Sequence, residues 1–336
     1  MPSVFQRHPR YALFSGFIIL ATFLLLAAQH APPLEPPSYI DAYVPNPNAL
    51  ESRLAQAEHT YQKMLVDRQG LIQKFGPTSD KVHMFPPDQD PWPPYTVWDF
   101  VPAAFTCPHS VERVGALGDG GKWVCGLERV ARKRPCVVYS IGINHESSFE
   151  AELLSRTAAC EVWGYDFSVA SFGPEVQDDA SLLRRAHFAP FGLSGTDAHG
   201  PEDQPPMYTL SSLMSRNGHT HIDILKVDIE SWEFETLRAL IRPYLEAGEP
   251  LPFGQLQLEV HVWGKKFSEF MKWWELLEEA GLRPFWTEPN IVYQNYNRGS
   301  SADLAEYSFL NIRGDNAFIS DKDSFRPRGG AHSPRD

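Results

Sequence analysis

The stretch Cys136–Phe149, CVVYSIGINHESSF, decides how the rest of the chain is read. A run rich in β-branched side chains stops at Gly142, and polar residues then lead into an apolar-periodic segment around Phe149–Ala158. That is a buried strand, a tight turn and the start of an amphipathic helix, the opening unit of an α/β sheet. The pattern recurs downstream. Glu161–Tyr165 (EVWGY) reads as a second strand, and His187–Leu193 as a third, after a helix that ends at Leu182–Arg185. Ile222–Val227 (IDILKV) and Leu256–Val262 (LQLEVHV) read as the fourth and fifth. Trp232–Leu245 and Phe267–Ala280 read as helices, the second stopped by Gly281. Leu282–Thr287 and Tyr307–Ile312 are late strands with no clear helix between them. The spacing predicts one α/β domain over 107–318, a mostly parallel sheet with helices on both faces and an antiparallel edge.

Upstream the texture differs. Tyr11–Ala28 (YALFSGFIILATFLLLAA) is eighteen residues without a charge, preceded by Arg7 and Arg10 and followed by no Lys or Arg until Arg53. A spanning helix needs ~17–25 such residues, and the positive-inside rule puts 1–10 in the cytosol and the remainder in the lumen. A cleaved signal peptide is the rival, since Ala27, Ala28 and Ala31 follow the run, but its apolar core is usually only ~7–15 residues. Both readings send the chain into the secretory pathway, with a Golgi or endoplasmic-reticulum address for an anchored form. No N-x-Ser/Thr acceptor occurs.

Residues 29–106 read as a stem. Ala31–Asn48 carries six prolines and is a stiff spacer. Leu50, Leu54, Ala57, Tyr61, Met64, Leu71 and Phe75 then fall on a heptad seam interrupted by Arg68. This helix either pairs two stems in a homodimer or lies on the globular domain. Gly76–Pro108 is proline-rich again, with Trp92, Tyr95 and Trp98 expected to pin it to the domain surface. Residues 319–336 read as a flexible tail.

Composition narrows the function. The 43% apolar content supports a packed core, and a net charge of −12 opposes nucleic acid as a partner, because phosphate contacts need a basic face. Four cysteines without a CxxC pair exclude a zinc ribbon. Cys107 and Cys125 flank the turn at Gly118–Gly121 and suit a disulfide, whereas Cys136 and Cys160 read as buried thiols.

In open α/β sheets the ligand lies outside the carboxyl ends of the strands. The residues that follow them are Ser140 to Asn144, Tyr165 to Phe167, Lys226 to Glu230, and Glu259 to His261. Gly142 admits a close backbone approach, and Asp166, twenty-four residues on, is placed to accept from ribose hydroxyls. No G-x-G-x-x-G is present, so a pyrophosphate fits poorly and a phosphate-free nucleoside, S-adenosylmethionine, fits better. Gly120-Gly121-Lys122 is not a P-loop either: Ala116 and Trp123 stand at its defining positions, and the segment reads as a turn between strands.

IDILKVDIESWEFETL (222–237) resembles the fourth-strand signature of FkbM-type S-adenosylmethionine-dependent methyltransferases, roughly LKIDVEGxE. RVGALGDGGKWVC (113–125) and VVYSIGINHESSFE (137–150) are similar to a methyltransferase-like domain family of single-pass secretory-pathway proteins. The resemblance covers about 107–312 and implies a class I methyltransferase (Rossmann-like) fold, with S-adenosyl-L-methionine held at Gly142, Asn144, Asp166 and Asp228. Ser140 and Phe167, flanking these positions, join the cofactor set. Many class I enzymes carry an acid where Ser140 stands, which weakens the expected contact to the methionine end.

Asp228 and Glu230 alternate after a buried strand, so Asp228 is expected in the pocket and Glu230 at the next helix start. Glu259 and His261 share a strand face, and His261 reads equally as general base on an acceptor hydroxyl or as a buried, hydrogen-bonded histidine, with Asp228 and Glu230 as further catalytic candidates. Glu259, Glu288 and Asn290 are candidate acceptor contacts. Asp228, Glu259 and His261 would also suit a divalent metal, but their spacing is no fixed ligand motif and no metal is assigned. The expected activity is O-methylation of a sugar or small metabolite. The rival is an inactive methyltransferase fold serving as a tethered binding module; a nicotinamide-dependent oxidoreductase is opposed by the missing glycines.

Overall fold

β-Branched runs form strands here, and proline and glycine cut them. The computed structural model describes residues 47–84, 94–296 and 302–321, all within the unit Asn46–Asp336. β1 (Val111–Val114) and β2 (Lys122–Cys125) make an antiparallel hairpin across the glycine-rich turn. β3 (Cys136–Ile141), β4 (Cys160–Tyr165) and β5 (Ala186–Ala189) follow. The third strand is shorter than expected, because Pro190 has no N–H to continue the ladder. The chain resumes as β6 (Gly192–Leu193), which pairs with β7 (Met207–Tyr208) beside the main sheet. β8 (Ile222–Val227), β9 (Phe253–His261), β10 (Leu282–Pro289) and β11 (Leu304–Asn311) complete the set.

The main sheet runs β5-β4-β3-β8-β9-β11-β10. β5, β4, β3, β8 and β9 are parallel; β11 is antiparallel to both β9 and β10. Every residue of β3, β8 and β9 is buried, as a sheet covered on both faces requires. Two apolar clusters lie over the sheet. The helices that matter for the site are α1 (Pro47–Phe75), α2 (Ser148–Arg156), α3 (Leu210–Asn217), α4 (Glu233–Ala247) and α5 (Phe267–Glu279). With strands led outward to β5 and then back through β8 to β10, the order switches between β3 and β8. This is the class I methyltransferase arrangement.

α1 settles one alternative. Leu50, Ala57, Tyr61, Met64 and Ile72 are buried within the same chain, and the seam continues through Arg68, which is buried too. Arg68 donates to both carboxylate oxygens of Glu278 at 2.9 and 2.7 Å, and to the Phe100 carbonyl at 2.6 Å. Arg283 holds Glu58 in a second fork at 2.8 and 2.9 Å. Of the two readings of this helix, the structure shows the one that lays it on the globular domain. The domain boundary expected at Cys107 also falls inside this unit. Trp98 Nε1 donates to the Ala302 carbonyl at 2.8 Å, which pins the segment after α1; Trp92 lies outside the described residues.

Cys107–Cys125 is a disulfide, and so is Cys136–Cys160, whose Cα atoms sit 4.3 Å apart as direct partners at the start of β3 and β4. The buried-thiol reading of Cys136 and Cys160 is therefore corrected. The expected span Tyr11–Ala28 and most of the C-terminal tail lie outside the described residues. Among the described residues no helix is long and apolar enough to cross a membrane.

Candidate active site

A cavity of about 700 Å³ opens at the carboxyl ends of β3, β4 and β8, at the switch in strand order. Ligand sites for small molecules usually measure ~300–1,000 Å³ and sit at this place in open sheets. Of the residues chosen from sequence, Gly142, Asn144, Asp166, Phe167, Asp228 and Glu230 line it. Phe167 projects with 54% of its surface exposed. Sequence reasoning missed the opposite wall, where Phe191, Met207, Ile229 and Trp232 supply apolar surface. Phe191 comes from the segment that Pro190 breaks out of the third strand, and reading that proline as a strand end would have exposed it; Met207 comes from β7, paired with β6.

Gly142 is required by the fold before any ligand arrives. Its φ is +81°, and a Cβ built there would collide with the Asp228 carbonyl oxygen. The turn is fastened by Asp166. One carboxylate oxygen accepts from the backbone N–H groups of Ile143 (2.9 Å) and Asn144 (2.7 Å), and the other from the N–H and hydroxyl of Ser168, both at 2.7 Å. Burial would raise this carboxyl, but those four donors outweigh it and hold it below the ordinary aspartate value. A carboxylate has about four lone-pair sites, so Asp166 serves first as a clasp. A ribose hydroxyl would have to take the place of the Ser168 hydroxyl.

Ser140 is fully buried and does not line the cavity, so its assignment to the cofactor set is corrected. Its hydroxyl donates to Glu150 on α2. Glu150 is itself completely buried and lies 3.4 Å from the Lys226 ammonium, which donates to the Gly142 carbonyl at 3.0 Å. A carboxylate from the following helix thus lies beneath the turn, outside the cavity lining.

His261 ends β9 in a nest of acids. Its Nε2 is 3.7 Å from Asp228, 3.7 Å from Glu230 and 3.8 Å from Glu259, and its Nδ1 is 3.4 Å from Glu233. Glu233, which the sequence reading did not select, also accepts the His261 backbone N–H at 2.7 Å. Glu230 does not sit at the helix start. Its φ of +51°, followed by +76° at Ser231, turns the chain out of strand alternation, so Asp228 and Glu230 face the same cavity. Burial alone would lower the imidazole; Glu233, Glu259 and Asp228 reverse this and raise it to about 9. Burial, with Asp228 and Glu306 beside it, pushes Glu259 up to about 9. The ring weighed as a general base is thus buried, with carboxylates as its nearest charged neighbours.

The remaining acceptor candidates divide. Asn290 donates to Glu259 at 2.7 Å and stays beside the cluster. Glu288 is engaged by Arg113 and, at 2.9 Å, by the Trp123 indole N–H, outside the cavity lining, so it is withdrawn as an acceptor contact. Lys122, dismissed above as a P-loop lysine, is a buried cation paired with Glu306. Burial would lower its pKa, but Glu306, Asp228 and Glu259 raise it instead.

A methyltransferase-domain family model matches residues 69–303. "Probable methyltransferase-like protein 24" of Rattus norvegicus is 30% identical over 174 residues, 48% of this chain and 44% of that protein. The Homo sapiens protein of the same description is 30% identical over 174 residues, 47% of this chain and 43% of its own. The match thus spans less than half the length of these relatives. Among solved structures, a Methanococcus jannaschii fibrillarin pre-rRNA processing protein superposes with a TM-score of 0.31 at 12% identity, over 53% of this chain and 67% of its own. The StiE O-MT fragment 942–1257 superposes with 0.30 at 12%, over 54% and 70%. Neither superposition bears on what this chain does.

Proposed function

The chain belongs to a methyltransferase-domain family and takes S-adenosylmethionine as its methyl donor, and from that premise we propose that it methylates a hydroxyl oxygen of a sugar or small metabolite in the secretory pathway. The cavity at the β3/β8 switch, floored by the clasped turn at Gly142, is the observation that carries this reading. Its residues fit the donor: Asn144 and the Asp166–Ser168 pair would hold the ribose, and Phe167, Phe191 and Met207 offer apolar surface for a base. When bound, the donor supplies an electrophilic methyl group on a sulfonium. The chain's own part is to orient the acceptor opposite that carbon, exclude water and receive a proton. Asp228 and Glu230 face the cavity and are placed for that task.

Likeness of the β8 segment to FkbM-type enzymes favours oxygen as the acceptor atom. Two disulfides that use all four cysteines favour an oxidising compartment, in keeping with a lumenal domain behind a single-pass anchor at 11–28 in the Golgi or endoplasmic reticulum. The inactive-fold alternative drew on Ser140; that residue and its partner Glu150 are both buried outside the cavity lining, where they brace the turn.

Calorimetry of the full chain should show S-adenosylhomocysteine binding, and labelled donor should transfer methyl to members of a panel of free sugars and glycans. Tight NADH binding with no response to S-adenosylhomocysteine would sink the assignment. For topology, a C-terminal tag should be protected from protease in sealed microsomes and stay with the membrane after carbonate washing; a soluble secreted product would refute the anchor.

A further inference from the structure

From the geometry around His261 we infer that Asp228, Glu259 and His261 form a divalent-cation site beside the cavity, which Asp228 lines, and that the cation holds the acceptor oxygen. One donor atom from each of the three lies within 4.8 Å of the others. The His261 Nε2 separations, 3.7 Å to Asp228 and 3.8 Å to Glu259, are too long for hydrogen bonds. They are shorter than twice a metal–ligand bond of ~2.1 Å, so a single ion can touch each pair.

The imidazole is the independent sign. Its side chain is only 1% exposed, yet Nε2 has no hydrogen-bond partner among the described residues. Such a group in a protein interior costs free energy unless something satisfies it. The other ring nitrogen faces Glu233, which is fully buried and already accepts the His261 backbone N–H. Glu233 lies 3.4 Å from Nδ1 without hydrogen-bonding to it, and a carboxylate on that side of the ring with Nε2 turned away is the placement from which metal-ligating histidines are oriented. Asn290 donates to the other oxygen of Glu259, leaving the oxygen near His261 for an ion.

Charge points the same way. Asp228, Glu230, Glu233 and Glu259 all come within 4 Å of one imidazole. Lys122 is committed to Glu306 and Lys226 to Glu150. A surplus of carboxylates in a partly buried site is stabilised by a bound cation. Two carboxylates with one imidazole suit manganese or magnesium better than a soft metal, and fewer protein ligands than such ions take leaves positions for substrate. Asp228 also lines the cavity, which puts the proposed site at its wall. A hydroxyl with an oxygen neighbour, as on a sugar ring, can chelate there.

What the ion does rests on the methyl-transfer reading; whether it binds does not. The test is Mn²⁺ titration of the metal-stripped full chain, followed by loss of the free-ion electron paramagnetic resonance signal. One Mn²⁺ per chain is expected, with affinity at least ~100-fold weaker in His261→Ala or Glu259→Gln, since even neighbours of metal ligands cost ~10–100-fold. Glu259→Gln keeps the side-chain shape should His261→Ala fail to fold, and thermal melting identifies which variants are folded. S-adenosylhomocysteine affinity, measured on the same preparations, should barely change. No stoichiometric Mn²⁺ binding by the wild type, or wild-type binding in a folded variant, would overturn the site. Mn²⁺ binding lost in the variants, in a protein that never binds S-adenosylhomocysteine, would uphold the site and refute the methyl-transfer reading.

Discussion

Lys226→Met removes the cation under the glycine turn and tests how that turn is held. In the wild type the ammonium is 3.4 Å from Glu150 and donates to the Gly142 carbonyl at 3.0 Å. Glu150 is fully buried, so once Lys226 is gone its carboxylate keeps only the Ser140 hydroxyl as a hydrogen-bond donor. Stranding one member of a buried pair costs ~3–5 kcal/mol, against a total stability of ~5–15 kcal/mol. At ~2–4 °C per kcal/mol for a domain of this size, melting should fall by roughly 10 °C. Glu150→Gln in the same chain removes the stranded charge, so the double variant should recover at least half of the loss. Urea unfolding of the wild type, both single variants and the double variant closes the cycle, and a coupling of ~2 kcal/mol or more is expected for groups in contact. S-adenosylhomocysteine affinity should fall about tenfold in folded Lys226→Met, because the slackened carbonyl belongs to the cavity floor. A cost below ~1 kcal/mol, or costs that simply add, would refute the argument that this pair supports the turn.

Asp166→Asn turns one end of the clasp into a donor facing two donors, and should weaken S-adenosylhomocysteine binding ~10–100-fold; unchanged affinity would remove Asp166 from the floor. Its folded carboxyl lies below its unfolded value, so the stability it adds is present above the unfolded pKa and disappears as pH falls through the folded one. The urea midpoints of wild type and Asp166→Asn should therefore converge on acidification, and a constant gap would contradict this. Replacing Cys136 and Cys160 by serine should cost ~3 kcal/mol for a loop of 24 residues; equal unfolding midpoints without reductant would mean that the bond does not form. A fragment starting at Cys107 should unfold non-cooperatively, because it lacks α1 and the Arg68–Glu278 fork, whereas one starting at Asn46 should melt as the whole chain does. Matching melts would show that α1 is dispensable.

The sheet was legible because burial on both faces leaves continuous apolar runs and because Gly142 ends the first of them; Pro190 acts just as locally, but the third strand was read through it. The partner of α1 was not, since a heptad seam states that a face is buried and not what covers it. Arg68 was the available hint: an arginine inside an apolar seam implies a specific acid, and that acid is Glu278, 210 residues away. The cavity floor was partly legible. Positions after strands pointed to Gly142, Asp166 and Asp228, but the far wall depends on where β6 and β7 settle beside the main sheet.

The His261 nest shows why side-chain roles resisted the sequence more than positions did. Strand alternation put Glu259 and His261 on one face of β9, and the distances between them agree with it. The same rule separated Asp228 from Glu230, and failed because two consecutive residues with positive φ leave the strand. Alternation is a property of extended backbone, and the end of a strand is where it lapses. That is also where open α/β sheets place their ligands. The function of His261 then follows from charge gathered by β8, the turn after it, α4 and β9, each supplying one acid around the ring. An imidazole set among acids and left without a hydrogen bond at Nε2 is placed as a ligand, a role that rests on three-dimensional company rather than on residue type.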